Sequence, residues 1–255
     1  MSFFKKMMAS VGIGAAKVDT VIENASGVRV GDELYGRVSI RAGNVAQEVN
    51  HIDLCLYANY FRERDGHVVE ERDQIYRYRL NERFSLQPGD EREFSFSFPL
   101  PNSTPITLGK TKVWVDTQLD IEMAMDKTDR DYVQVMAHPI VGAFFDVMER
   151  YGLRMYEVSL LHVPHLRLDF PFLQEFELKP QRRSRLEELE VFYVCHGDHV
   201  EFYLEIDRRA KGFGGLLEEA FDMNERHIKV TVTKDDIADS DALYRWIVEA
   251  IEENL

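Results

Sequence analysis

The run Lys112-Val-Trp-Val-Asp-Thr-Gln-Leu-Asp-Ile121 alternates almost without a break between two classes of side chain. Val113, Val115, Thr117, Leu119 and Ile121 form one set, and Trp114, Asp116, Gln118 and Asp120 the other. Successive side chains of a β-strand leave on opposite faces, so this run predicts a long strand with one buried and one wet face. An antiparallel sheet packed on one side gives that pattern, and a doubly covered parallel sheet does not. Pro99-Leu-Pro-Asn-Ser-Thr-Pro105 precedes the strand and reads as a loop between sheets. Trp114, set among acids, is expected to pack rather than to lie open.

The same period recurs upstream. Strands are predicted over 17–22, over 34–41 with Leu34, Gly36, Val38 and Ile40 on one face, and over 49–62 with Ile52, Leu54, Leu56, Ala58 and Tyr60 together. Asp65-Gly66 signals a hairpin whose return strand includes 75–80, and Gln87-Pro-Gly-Asp90 turns into the alternating Glu93-Phe-Ser-Phe-Ser-Phe98. About seven short strands in ~130 residues is a sandwich signature.

At Pro139 the period changes. Ile140, Val141, Phe144, Val147, Met148 and Tyr151 recur at helical spacing, Pro139 suits a first helical position, and Gly152 stands where a C-terminal glycine belongs. Strands then resume over 155–163, 172–178, 186–195, 200–208 and 227–233, and a capped helix from Asp239 closes the chain with Leu243, Trp246 or Ile247, and Ala250 or Ile251 on one side. The expected organisation is a β-sandwich over residues 1–137, a linking helix over 138–152, a second sandwich over 153–235 and a C-terminal helix over 236–255.

Composition narrows the function classes. The 255 residues are 45% hydrophobic, enough for one or two ordinary domains. A formal net charge of −14 makes nucleic acid a poor partner, because phosphate binding needs clustered cations. The basic runs at Arg182-Arg183-Ser184-Arg185 and Arg208-Arg209-Ala210-Lys211 are local, and the first is answered by Glu187, Glu188 and Glu190. Cys55 and Cys195 make no disulfide framework, so a reducing cytoplasm is the simpler reading, with a single long-range disulfide as the alternative. No window holds the ~20 apolar residues of a membrane span. Phe3, Phe4, Met7, Met8 and Val11 beside Lys5 and Lys6 offer a short amphipathic segment, expected to dock on the protein's own sheet rather than on a lipid surface.

Motifs for catalysis are few. Gly109-Lys110-Thr111 matches the end of a phosphate-binding loop, but Thr104 occupies the leading glycine position and the lysine enters a strand. No Gly-x-Ser-x-Gly elbow occurs, and neither cysteine has an activating context. Asp126, Asp129 and Asp131 lack the remainder of a calcium loop. His196-Gly-Asp-His199 frames a two-residue hairpin, which sets the two imidazoles opposite one another, ~5 Å apart at Cβ. His162-Val-Pro-His165 offers further donors if its strand packs nearby. A structural zinc site takes four protein ligands, so His196, His199, His162 and His165 are candidate ligands only. The expected state is a solvated histidine pair, with no metal and no cofactor.

Three stretches carry a family likeness. The first comprises Met1-Ser-Phe-Phe-Lys-Lys6, Ala9-Ser-Val-Gly-Ile-Gly14 and Lys17-Val-Asp-Thr20. The second comprises Thr107-Leu-Gly-Lys-Thr-Lys-Val-Trp-Val115, Leu119-Asp-Ile121, Asp131-Tyr-Val-Gln-Val135 and His138-Pro139. The third joins Phe172-Leu-Gln-Glu-Phe-Glu177 to Asp207-Arg-Arg-Ala-Lys-Gly-Phe-Gly-Gly-Leu-Leu217. Together they resemble the sporulation-control proteins of the spo-zero-M type, which are arrestin-like. The resemblance implies a mainly β fold of two arrestin-like antiparallel sandwich modules, in a cytoplasmic bacterial regulator. It brings no set of catalytic residues.

The expected function is therefore that of a non-enzymatic scaffold or regulator that binds protein partners through sheet edges or an inter-module groove. The alternatives are a metal-binding sensor or enzyme built on the histidines, and a peripheral membrane adaptor anchored by the N-terminal segment.

Overall fold

The computed structural model describes residues 16–64, 66–81, 83–121, 127–163, 172–207 and 227–255. The N-terminal amphipathic segment, Asp126, His165 and the 208–217 run lie outside the described residues. The fold is mainly β. In chain order its first strands are β1 (Lys17–Ile22), β2 (Val28–Arg29), β3 (Glu33–Arg41), β4 (Gln47–Arg64), β5 (His67–Asn81), β6 (Phe84–Leu86) and β7 (Glu91–Pro99). They are followed by β8 (Val113–Ile121), β9 (Lys127–Val133), β10 (Val135–Met136) and the helix α1 (Pro139–Tyr151). The chain ends with β11 (Leu153–His162), β12 (Phe172–Pro180), β13 (Glu188–Cys195), β14 (His199–Asp207), β15 (His227–Thr233) and the helix α2 (Ser240–Glu252). It divides into two compact units: Met1–Ala58 with Arg72–Pro101 and Lys112–Val135, and Asn59–Glu71 with Asn102–Thr111 and Met136–Leu255.

In the first unit, β1, β3 and β7 form one antiparallel sheet in the order β1-β3-β7. β4 pairs with β8, and β8 with β9, in another, where Leu54 faces Thr117 and Leu56 faces Val115. Leu34, Val38, Ile40, Phe96 and Phe98 from the first sheet and Ile52, Leu54, Leu56, Val115 and Leu119 from the second are all buried. The Thr20 and Thr117 hydroxyls meet at 2.7 Å in this interior, so even its polar pair is satisfied. Gly36 on β3 is required by crowding: a Cβ there would sit 2.1 Å from the Val21 carbonyl oxygen.

The other face of β8 differs in part from the sequence expectation. Trp114 packs, as expected, at 4% exposure, but Asp116 is covered too, at 5%, while Gln118 and Asp120 further along stay half-buried. Tyr57 stacks on Trp114 at 5.9 Å, Arg130 lies over the indole at 4.9 Å, and Arg130 and Arg72 cover Asp116. Polar periodicity marked the face correctly, but long arginine side chains shield it while their charged ends reach water.

The second unit contains the antiparallel order β15-β14-β13-β12-β11, with Phe61 paired in parallel to Leu161. The predicted helices both form. His138 Nδ1 accepts the Ile140 amide at the start of α1, and Gly152 closes that helix at φ +95°. At α2, Asp239 accepts the amides of Asp241 and Ala242. Phe144 of α1 stacks on Phe202 of β14 at 4.0 Å, and Phe145 packs against Phe176 of β12. Of the alternatives on α2, Ile247 is fully buried while Trp246 stays 41% exposed. Among the described residues, no helix is long and apolar enough to cross a membrane.

Candidate functional site

The hairpin joining β13 to β14 gathers the chemistry the sequence singled out. Its last ladder pair is Cys195 with Val200, beyond which the His196 amide donates to the His199 carbonyl at 3.0 Å. Gly197 takes φ +88°, a conformation that favours glycine, and Asp198 completes the two-residue turn. This places the imidazoles of His196 and His199 face to face, 4.6 Å between centroids and 19° between planes.

Two residues along β14, strand alternation brings Glu201 to the same face as His199. Glu201 Oε2 lies 3.7 Å from His196 Nε2, and each of the three side chains presents a donor atom within 4.8 Å of the other two. Lys229 holds the other carboxylate oxygen, Oε1, at 2.8 Å, and the Tyr203 hydroxyl donates to Oε2 at 2.9 Å. The Lys229 hydrogen bond is the main reason the Glu201 carboxyl titrates below its ordinary range. Asp198 Oδ1 lies 2.6 Å from His199 Nδ1, and that contact lowers the Asp198 pKa as well.

Of the four candidate ligands, His196 and His199 therefore come together. His162 instead stacks on Tyr60 at 5.2 Å, outside this cluster. The sequence reading missed Glu201, although the spacing His199-Val-Glu201 on a strand was available to reveal it. Cys195 points away by alternation, and burial raises its thiol pKa, so it is neither a ligand here nor a ready nucleophile. Asp129 accepts the Thr20 amide at 2.7 Å, a structural use of a carboxylate once weighed for calcium.

Near the same hairpin lies a cavity of about 180 Å³, lined among others by Thr104, Leu160, Phe172, Tyr193 and Cys195. The Thr104 hydroxyl is buried without a partner. Gln174 brackets Ile106, accepting its amide at 2.9 Å and donating to its carbonyl at 2.7 Å, which fixes the loop wall.

The sheet also carries an unusual acidic row. Glu157, Glu177, Glu190 and Glu205 are successive cross-strand partners on β11, β12, β13 and β14. Lys179 bridges Glu177 and Glu188, and the partly buried Glu175 beside the row is pushed up to about 7, by burial first and by its glutamate neighbours next.

The chain as a whole has known relatives. The model of the SpoOM protein family matches residues 4–210. The chain belongs to the Spo0M family. The sporulation-control protein spo0M of Bacillus subtilis (strain 168) is 38% identical over 256 residues, covering 99% of both chains. The crystal structure of the sporulation control protein Spo0M from Bacillus subtilis superposes with a TM-score of 0.89 at 36% identity, covering 95% of this chain and all of that one. The expected family and the mainly β fold are thus both established, and a sporulation-control regulator is the functional class to which they point.

Proposed function

We propose that this Spo0M-family chain is a non-enzymatic cytoplasmic regulator that acts by binding a partner polypeptide along a sheet edge. One observation supports the choice of edge: β15 ends the order β15-β14-β13-β12-β11, and among the described residues β14 is its one strand neighbour. An edge strand presents a row of main-chain donors and acceptors on its outer side, so an added strand gains affinity from backbone hydrogen bonds. Val230 and Val232 anchor β15 from the buried face, while Lys229 and Thr231 stand exposed and would supply selectivity.

The test uses Bacillus subtilis lacking its own Spo0M, with heat-resistant spore counts as readout. The chain should restore the counts, and a photo-crosslinking residue at Thr231 should yield one discrete adduct during sporulation. The same probe at the exposed Val21 of β1 should not give that adduct. A chain that restores sporulation without any adduct at Thr231 or Lys229 would remove β15 as the binding edge.

A further inference from the structure

We propose that His196, His199 and Glu201 form a binding site for one divalent late transition-metal ion, of which Zn²⁺ is the test case. The three donors are side chains of a single hairpin, so the main chain holds them close before any ion arrives. His196 and His199 flank the turn with stacked rings, and Glu201 follows on the same face of β14.

The spacing suits a small ion. A tetrahedral centre with bonds of about 2.0–2.1 Å needs donors about 3.3 Å apart. His196 Nε2 and Glu201 Oε2 are already at 3.7 Å, and the full set lies within 4.8 Å, a gap that side-chain rotation closes. Two imidazoles and one carboxylate form the donor set of open zinc centres, with the fourth position left to water or an incoming ligand. Calcium and magnesium, which take oxygen donors, fit this set poorly.

The surroundings supply the outer contacts that metal ligands use. Asp198 sits 2.6 Å from His199 Nδ1, which fixes that ring and leaves Nε2 for the ion, the carboxylate–histidine arrangement common behind zinc ligands. Tyr203 steadies Glu201 through Oε2. Lys229 works against the ion: its ammonium holds Glu201 Oε1 at 2.8 Å and adds a positive charge beside the centre. The site is open to solvent, with the His196 and His199 side chains 42% and 34% exposed. Such a site loads and unloads readily. It adjoins β15, whose Lys229 holds Glu201 and whose Thr231 is the register partner of Glu201, but it does not depend on the edge proposal.

The experiment is calorimetric titration of the full tag-free chain with Zn²⁺ at pH 7.5, with Co²⁺ visible absorption as the second readout. One saturable site per chain is expected, with the intense visible bands of low-coordinate Co²⁺. H199N and E201Q should each weaken binding at least tenfold, and H67N, at an exposed histidine elsewhere, should leave it unchanged. K229M should tighten binding severalfold, a gain that loss of folding cannot imitate. No saturable binding, or affinities equal across H199N, E201Q and wild type, overturns the site.

Discussion

Arg130 holds Asp116 through two nearly parallel hydrogen bonds, 2.7 Å from Nε to Oδ1 and 3.0 Å from Nη2 to Oδ2. The carboxylate is buried, the guanidinium also covers Trp114, and Arg72 adds a third hydrogen bond at 3.1 Å. The pair joins two adjacent strands, since Asp116 on β8 is the register partner of Arg130 on β9.

Removing the arginine leaves a buried charge with less compensation, and that loss outweighs the value of the pair itself. R130A is expected to destabilise the first unit by about 2–3 kcal/mol. D116N, which keeps the shape and relieves the charge, should cost less. Urea denaturation followed by Trp fluorescence measures both, and a loss below about 0.5 kcal/mol for R130A would show the pair to be worth no more than a surface one.

Glu175 gives the second unit a pH dependence. Its folded pKa of about 7 lies above the ordinary glutamate value of 4.5, so folding penalises the ionised form. The penalty is complete above pH 7, is relieved as pH falls from 7 towards 4.5, and contributes nothing below that range. Thermal melts should therefore show E175Q stabilised by about 1–3 kcal/mol over wild type at pH 8 and by almost nothing at pH 4.5. A difference that does not change with pH would mean that Glu175 carries no such penalty.

Phe144 is fully buried and lies flat on Phe202, so its truncation leaves a cavity that helix and sheet cannot both close. F144A is expected to lose about 3–5 kcal/mol, while F144L, which keeps more of the apolar volume, loses under about 2. Chemical denaturation distinguishes the two, and equal costs would contradict the packing account.

The two thiols should behave as structural groups. Burial raises the pKa of Cys55 and of Cys195, which keeps the thiolate scarce at neutral pH. A disulfide reagent such as Ellman's should label fewer than one thiol rapidly in the native protein and both in denaturant. Rapid native labelling of Cys55 would contradict its burial.

Strand position was legible because side-chain alternation is local. The run over 227–233 matched β15 to the residue, and Gly152 marked the end of α1 because only a left-handed residue closes that turn comfortably. Within β5 only 75–80 shows its period, because Glu70, Glu71 and Arg72 hide the earlier part beneath charge. The His196–His199 contact was also legible, since a two-residue turn fixes its flanking pair. Glu201 was less so, because its role depends on which face both histidines share.

The sequence by itself determined the family, most of the longer strands, both helices and their apolar faces, since period, caps and turn residues act over a few positions of chain. It did not show β9 (Lys127–Val133), whose acids disguise the strand. Only the tertiary structure decided that Asp116 on the polar face of β8 is covered, because its shield comes from Arg72 on β5 and Arg130 on β9. It also decided that four glutamates from four strands stand in one row, and that Glu201 completes a donor set with two histidines. Register between strands places charges side by side, and that is a property of pairing which no single segment contains.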